Sequence, residues 1–193
     1  MERMIYLLPI GDIDRSILVR LKERIKISLE GYNINIYSEE FQLDNIDYDV
    51  ERGQYHASKI LKIMSSIVRE KGLFRILGVI DRDIYTKNYN FNFGIANSRK
   101  ALISLTRLRE KFYKKQGLLN KKATNKDQFD SRVFKEATHE LGHTFRLEHC
   151  KNLCVMQFSN CLADIDNKPV NFCISCTSKL NLEEENLISD DLF

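Results

Sequence analysis

The chain has 193 residues, of which 43% are hydrophobic and 30% charged, and its formal net charge is +3. This length suits one domain with a sizeable core, and the small, dispersed charge argues against a nucleic-acid binder, which more often has a concentrated basic face. Residues 5–10 are too short for a signal-peptide core and no apolar run is long enough to cross a membrane, so we expect a cytoplasmic protein without a membrane partner. We also expect the protein to be a monomer.

The first eighty residues alternate between predicted strands and helices. A short buried strand over 4–10 precedes an amphipathic helix that begins after Asp12 or Asp14 and stops at Gly31. A strand over 33–37, a helix over 57–72 and a buried strand over 74–80 follow. Because strands alternate with helices, we expect an α/β (α+β) domain with a largely parallel sheet.

The strand pattern then changes to a hairpin. Residues 90–96 alternate strictly between polar and apolar side chains, and a second strand over 101–105 follows after a turn around Ser98. Strands this close must pair antiparallel, which makes the first of them a candidate edge strand. The edge has one of two roles: it is ordinary sheet, or it binds an extended peptide through backbone hydrogen bonds. The candidate residues for peptide binding are Phe91, Phe93, Gly94 and Ile95.

Two polar segments are predicted to be loops. Residues 38–52 are acidic and irregular, and residues 110–128 are Lys-rich and read as a solvated loop. A helix is predicted to begin near Asp130 or Ser131. Its apolar positions, which we expect to be buried, are Phe134, Ala137, Leu141 and Phe145.

That helix leads into an H-E-x-x-H motif formed by His139, Glu140 and His143. Two imidazoles at positions i and i+4 lie one turn apart on the same helix face, a spacing that suits one zinc ion. The glutamate between them does not bind the metal in such sites but activates the metal's water. The motif alone also occurs by chance, on helices whose histidines have no ligand role.

A third histidine, His149, lies six residues after His143. On a continuous helix its side chain would point about 240° away from that of His143 and lie about 9 Å further along the axis. Three histidines can therefore share one zinc ion only if the helix ends near residue 146 and the chain turns back. Three imidazole ligands would leave one open position for water, as in a catalytic zinc site.

The five cysteines all lie in the last 44 residues. Cys150 and Cys154 form one pair and Cys173 and Cys176 another, a spacing that suits a closed, structural zinc site with four cysteine ligands. The alternative for these four is separate free thiols. Cys161 is left over, and we expect it to be a lone, packed thiol.

These residues resemble the archaemetzincins, a branch of the metzincin zinc metallopeptidases. The likeness rests on residues 139–150, on Cys154-Val155-Met156 and on the second cysteine pair, and it extends to residues 76–79, 90–96 and 107–113. The resemblance implies a compact metzincin-like (zincin) fold over residues 1–193. It implies a twisted mixed sheet and an active-site helix within 1–149, then a Met-turn at Met156 and a four-cysteine zinc subsite within 150–193.

The sequence departs from the family pattern at two places, and from some other metzincins at a third. Arg146 occupies the position of a glycine, and a left-handed turn there costs a non-glycine residue about 1–2 kcal/mol. The first cysteine pair has three intervening residues, where four are expected in much of the family. Phe158 stands where some metzincins have a tyrosine, so that hydroxyl is missing.

The leading hypothesis is a zinc-dependent metallopeptidase that holds two Zn2+ ions and hydrolyses a peptide or protein substrate by Glu140-assisted attack of zinc-bound water. One alternative is a non-catalytic or weakly active two-zinc protein that binds peptides or partners, which Arg146 favours. The other is a zinc-ribbon nucleic-acid module. The acidic residues of the C-terminal segment, Glu183, Glu184, Glu185, Asp190 and Asp191, argue against nucleic-acid binding.

Overall fold

The structure is a computed structural model that describes residues 3–43, 48–117 and 126–181. Its strands form a five-stranded sheet and a second sheet of three short strands. In chain order, the strands are β1 (Met4–Ile10), β2 (Asn33–Ile36), β3 (Tyr48–Asp49), β4 (Gln54–His56), β5 (Arg75–Ile80), β6 (Ile84–Tyr85), β7 (Gly94–Asn97) and β8 (Lys100–Ser104).

The larger sheet has the strand order β2-β1-β5-β8-β7. β1 pairs in parallel with both β2 and β5, and β5 pairs in parallel with β8. β7 pairs antiparallel with β8 and forms one edge of the sheet. The predicted mixed sheet with an antiparallel edge strand is therefore confirmed.

The helices are α1 (Arg15–Ser28), α2 (Ala57–Lys71), α3 (Glu110–Lys115), α4 (Lys126–Thr144) and α5 (Leu162–Asn167), and residues 174–181 are also helical. Local sequence sets their ends. The Asp14 carboxylate accepts a hydrogen bond from the Ser16 backbone N–H and begins α1. Gly72, with a φ of 61°, ends α2 in the left-handed conformation. Both boundaries match the sequence expectation.

Helices cover both faces of the larger sheet. Successive residues of a strand point to opposite faces, so Leu7 of β1 packs in one core cluster and Leu8 in another. The Leu7 cluster contains the apolar faces of α1 and α4, and the Leu8 cluster contains that of α2. The four predicted core positions of α4, including Phe145 just beyond its end, are buried. This packing fixes the motif-bearing end of α4 against the sheet.

The prediction of a strand over 90–96 is wrong in its first half, because β7 begins at Gly94. The preceding segment bridges to the smaller sheet instead, where the Asn92 backbone N–H donates to the Ile84 carbonyl oxygen at 2.9 Å. The ring of Phe91 lies edge-on to that of Phe93, 5.1 Å away. The polar–apolar alternation in this segment thus reflects pairing with two different sheets.

The predictions of two irregular loops are also partly wrong. Tyr48 pairs with Tyr55 across β3 and β4, with ring centroids 4.8 Å apart. In the second loop, Glu110 begins helix α3, and α4 is already helical at Lys126. The buried Arg132 guanidinium joins the two helices, since its Nη2 lies 3.3 Å from the Glu110 carboxylate. Residues 118–125 and the acidic positions after 181 lie outside the described residues.

No helix within the described ranges has both the length and the apolar character needed to cross a lipid bilayer.

Candidate zinc sites and active-site cleft

The three histidines at the end of α4 come together in space. Donor nitrogens of His139, His143 and His149 all lie within 4.8 Å of one another. The ring centroid of His149 lies 5.3 Å from that of His139 and 4.9 Å from that of His143. The predicted convergence of the three side chains is therefore present in the structure.

The turn that brings His149 back is a Schellman motif. The Leu147 N–H donates to the Gly142 carbonyl at 3.1 Å, and the Arg146 N–H donates to the His143 carbonyl at 3.0 Å. Arg146 has a φ of 60° and is one of two non-glycine residues with positive φ among the described residues. Leu147 anchors the turn because its side chain is buried in the core. The helix thus ends where the three-histidine geometry requires, although arginine replaces glycine.

Backbone carbonyls orient two of the three imidazoles. Nδ1 of His139 lies 3.0 Å from the Val155 oxygen, and Nδ1 of His143 lies 2.7 Å from the Leu147 oxygen. A carbonyl only accepts hydrogen bonds, so each Nδ1 carries the proton and each Nε2 has a free lone pair. The two Nε2 atoms face each other at 3.1 Å. Two lone pairs at this distance repel unless a cation lies beside both, so the residues fit a bound Zn2+.

Burial keeps the imidazoles uncharged. It lowers the pKa of all three from the ordinary value of 6.5, and that of His139 to about 2. Neutral imidazole is the form that binds a metal ion. At neutral pH the cluster therefore requires no deprotonation before zinc binds.

Glu140 lies on α4 between the histidines and is 5% exposed. It packs against Gly94 of the edge strand, where an added Cβ would lie 2.7 Å from its Oε1. Burial raises the pKa of Glu140 well above its ordinary value, the Glu136 carboxylate raises it further, and Lys168 lowers it. A dication held by the imidazoles also favours the ionised carboxylate.

Met156 lies directly beneath the motif helix and is fully buried. Its Sδ occupies the space that a Cβ on Gly142 would need. The Cys150 N–H donates to the Met156 carbonyl at 2.9 Å, which closes the loop that follows His149. Met156 therefore packs beneath the histidine-bearing end of α4, and its assignment as a Met-turn residue stays a prediction.

The four paired cysteines form a second cluster, with all sulfurs within 4.8 Å of one another. Sγ of Cys150 lies 3.8 Å from Sγ of Cys173, which matches the edge of about 3.8 Å in a tetrahedron with 2.3 Å Zn–S bonds. A hydrogen bond from the Cys176 N–H lowers the pKa of Cys173 to about 6, whereas burial raises the pKa of Cys154. The sulfur set and its spacing fit a structural zinc ion.

Cys161 stands apart from this cluster, as expected. The prediction that it is packed is wrong, because its side chain is exposed at the start of α5.

A cleft of about 710 Å³ lies between the motif helix and the edge strand. All four predicted edge residues line it, although Phe93 is only 5% exposed and also packs in the core. Sequence reasoning missed several other lining residues, among them Glu136, Ser159 and Lys168. Glu136 had a signal, since it lies one helical turn before Glu140, but nothing in the sequence pattern brings Lys168 to it.

Comparison with known proteins agrees with this arrangement. The family model for peptidase family M54 matches residues 12–182. The chain belongs to this peptidase family. It is 38% identical over 175 residues to an archaemetzincin of Methanocaldococcus jannaschii, with 89% of each chain covered, and 37% identical over 186 residues to one of Pyrococcus furiosus, with 93% of each chain covered.

Solved structures of the family have the same fold. The archaemetzincin of Archaeoglobus fulgidus, complexed with malonate, superposes with a TM-score of 0.75 at 31% identity, over 91% of this chain and 99% of that one. A zinc-dependent peptidase of Methanocorpusculum labreanum gives 0.78 at 26% identity, over 91% and 99%. The M54 chain described here is thus a zinc metallopeptidase, a hydrolase that acts on peptide substrates, and the predicted archaemetzincin resemblance and metzincin-like fold are confirmed.

Proposed function

We propose that His139, His143 and His149 hold a catalytic Zn2+ and that Glu140 is the general base of peptide hydrolysis. The observation that carries this assignment is the pair of Nε2 lone pairs that face each other at 3.1 Å, each fixed by a carbonyl at its Nδ1. We also propose that Cys150, Cys154, Cys173 and Cys176 hold a second, structural Zn2+, which gives two ions per chain.

When bound, zinc supplies a Lewis acid that polarises the peptide carbonyl and lowers the pKa of water. Glu140 accepts the proton of the attacking water and passes it to the leaving amine, as a general base and then a general acid. Its buried carboxylate lies against Gly94, so it cannot turn away toward the strand. Gly94 therefore positions the proton-transfer group beside the imidazoles.

The edge strand β7 is the proposed binding surface for the peptide backbone. It is the last strand in the sheet order and lies along the cleft. An extended peptide can add to such an edge through main-chain hydrogen bonds. Phe91, Phe93, Gly94 and Ile95 are the proposed residues of this surface, with Gly94 at the point nearest Glu140.

The test of this function is cleavage of a peptide library by protein loaded with zinc. Wild type should cleave, and both a chelator and Glu140→Ala should abolish cleavage. Metal analysis of Glu140→Ala should still give two zinc ions per chain, because Glu140 is not a proposed ligand. A wild type that holds both ions but cleaves no peptide would establish the non-catalytic alternative.

The non-catalytic alternative was favoured by arginine in place of glycine at position 146, and this argument no longer holds. Arg146 adopts the left-handed turn, and the three imidazoles still converge. We therefore retain the peptidase as the only proposed function of the cleft.

We further propose that residues 1–193 act as one domain, a monomer in the cytoplasm, on a peptide or protein substrate without nucleic-acid or membrane partners. The hydrogen bond from His139 to the Val155 carbonyl supports one domain, because it joins the 1–149 part to the 150–193 part. The clustered free thiols support a reducing compartment.

A further inference from the structure

A buried arginine lies against the end of the motif helix. Arg75 is the first residue of β5 and is only 6% exposed, whereas the rest of this strand is apolar. β5 is the middle strand of the larger sheet and pairs with β1 and β8, so the backbone of Arg75 is held on both sides. Removing a guanidinium from water is costly unless other groups compensate it. The contacts of Arg75 therefore indicate what the buried charge does.

Arg75 contacts the last turn of α4. Its Nε donates a hydrogen bond to Thr144 Oγ1 at 3.1 Å, and its Nη2 donates one to the Thr144 carbonyl oxygen at 3.2 Å. Thr144 is the last residue of α4, and the carbonyls at a helix end lack donors within the helix and attract cations. The guanidinium also lies over the ring of Phe145, with Cζ 3.8 Å from the ring centroid. Arg75 thus holds two successive residues at the helix end.

The two residues held by the guanidinium begin the chain reversal that forms the histidine cluster. Thr144 and Phe145 lie between His143 and the left-handed residue of the turn. The Leu147 carbonyl, which lies 2.7 Å from Nδ1 of His143, follows the turn. His149 comes two residues later. A shift of the helix end would therefore displace both the orienting carbonyl and the third imidazole.

We propose that Arg75 is a positioning residue of the histidine cluster: it holds the end of α4 so that the turn brings the third imidazole to the other two. This inference rests on the proposed function, because it concerns the same zinc site. Arg75 does not line the cleft, so it acts through the backbone of the turn and not on the substrate. Groups that orient metal ligands from outside typically change metal affinity by about 10–100-fold when they are removed.

Arg75→Met tests the proposal, because methionine fills part of the same space without the guanidinium. The zinc affinity of the histidine cluster should fall by at least about tenfold. Titration of the metal-free protein with zinc, in competition with a chromophoric chelator, measures this affinity. A His139→Ala, His143→Ala protein keeps the cysteine cluster alone and identifies the step of the titration that belongs to it.

Arg132→Met is the matched control, because Arg132 is also a buried arginine and is 2% exposed. It lies in the first half of α4, where its guanidinium pairs with Asp166 at 2.6 Å. Both variants should lower the free energy of unfolding in urea, but only Arg75→Met should weaken zinc binding at the histidine cluster. An equal loss of zinc affinity in the two variants, or no loss in Arg75→Met, would overturn the inference.

Amide hydrogen exchange in the metal-free protein gives a second measurement that does not depend on zinc. The Arg146 and Leu147 N–H groups donate to carbonyls of the last helical turn at 3.0 and 3.1 Å. In Arg75→Met they should exchange at least about tenfold faster than in wild type, when each is compared with the amides of α2 on the other face of the sheet. Unchanged relative rates would show that the arginine does not hold the turn.

Arg75→Lys decides the question if Arg75→Met does not fold. Lysine keeps the charge and can donate to the Thr144 carbonyl, but it lacks the planar group that lies over Phe145. Zinc affinity at the histidine cluster should therefore fall by at least about threefold, and an unchanged affinity overturns the inference. A wild type that binds zinc only at the cysteine cluster would overturn the proposed function itself. A wild type with both ions and arginine variants of unchanged affinity would overturn this inference alone.

Discussion

Glu140 and Gly94 lie in direct contact across the active-site cleft. A Cβ on Gly94 would lie 2.7 Å from Oε1 of Glu140 and 2.8 Å from its Cδ, distances that real Cβ atoms do not tolerate. Gly94 has no positive φ, so the backbone itself does not require glycine there. What requires it is the carboxylate on the opposite wall. The absence of a side chain on the edge strand thus sets the position of the proposed base.

Gly94→Ala should lower kcat/KM by at least about tenfold, since tenfold corresponds to only about 1.4 kcal/mol of lost transition-state stabilisation. The added methyl group displaces the Glu140 carboxylate from its place beside the imidazoles. Steady-state cleavage of a peptide measures the effect, and denaturation in urea serves as the control for folding. Full activity in a folded Gly94→Ala protein would contradict the contact's proposed role.

Arg146→Gly should raise the free energy of unfolding by about 1 kcal/mol, because glycine enters the left-handed conformation without the steric cost that arginine bears. Arg146→Ala is the matched control, since it removes the same side chain but keeps the Cβ. Urea denaturation gives the free energy of unfolding of both variants, and the difference between the two values is the contribution of the backbone conformation. Equal stabilities for the two variants would show that the turn is unstrained.

Cys173→Ser should lower zinc occupancy at the histidine cluster as well as at the cysteine cluster. The loop that carries the cysteines also provides the Val155 carbonyl that orients His139, and Cys150 directly follows His149. Metal analysis together with peptide cleavage measures both losses. Cys161→Ser is the control, because Cys161 lies outside the cluster and should leave both sites loaded. An intact histidine site in Cys173→Ser would rule out the coupling.

Zinc loading of the two clusters should differ in its dependence on pH. At pH 7 the buried imidazoles are already neutral because their pKa values are lowered, so zinc displaces few protons there. Burial raises the pKa of Cys154 and Cys176 above the ordinary 9.0, so these thiols keep their protons until zinc displaces them. Zinc affinity should therefore rise with pH at the cysteine cluster and stay nearly flat above pH 6.5 at the histidine cluster.

A pH indicator in weak buffer measures the released protons during zinc titration of the metal-free protein. A His139→Ala, His143→Ala protein keeps the cysteine cluster alone. It should bind one fewer zinc ion than wild type yet release nearly as many protons, about two or more per chain. A large fall in proton release in this variant would show that the histidines are protonated before zinc binds.

Periodicity and ligand spacing were enough to predict the main elements and the proposed ligand sets. The end of α4 followed from a geometric requirement, since His149 could reach the other imidazoles only after a reversal near residue 146. Pairings between distant residues could not be predicted this way. The buried Arg132 of α4, for example, forms ion pairs with Glu110 and Asp166, which lie 22 and 34 residues away in the sequence.

Contacts between residues that are distant in the sequence also could not be predicted at the cleft wall. Helical periodicity places Glu136 on the face of Glu140, but Lys168 reaches it only through the tertiary arrangement of α5. The alternating pattern of residues 90–93 was misleading for a related reason. Alternation reports that a segment is extended and half-buried, and it does not report which sheet supplies the partner.

The acceptors at His139 and His143 belong to the main chain, at Val155 and Leu147, rather than to carboxylate side chains. No amino-acid replacement at these two positions removes the carbonyl oxygen. The tautomers of His139 and His143 are therefore set by the backbone conformation of this loop. They are insensitive to substitution at the acceptor residues, Val155 and Leu147. Only a change that moves the loop, such as an insertion or the loss of its metal, can release the rings. Substitutions of side chains that line the cleft can thus change which substrate side chain is accepted, while the imidazoles of His139 and His143 keep their orientation.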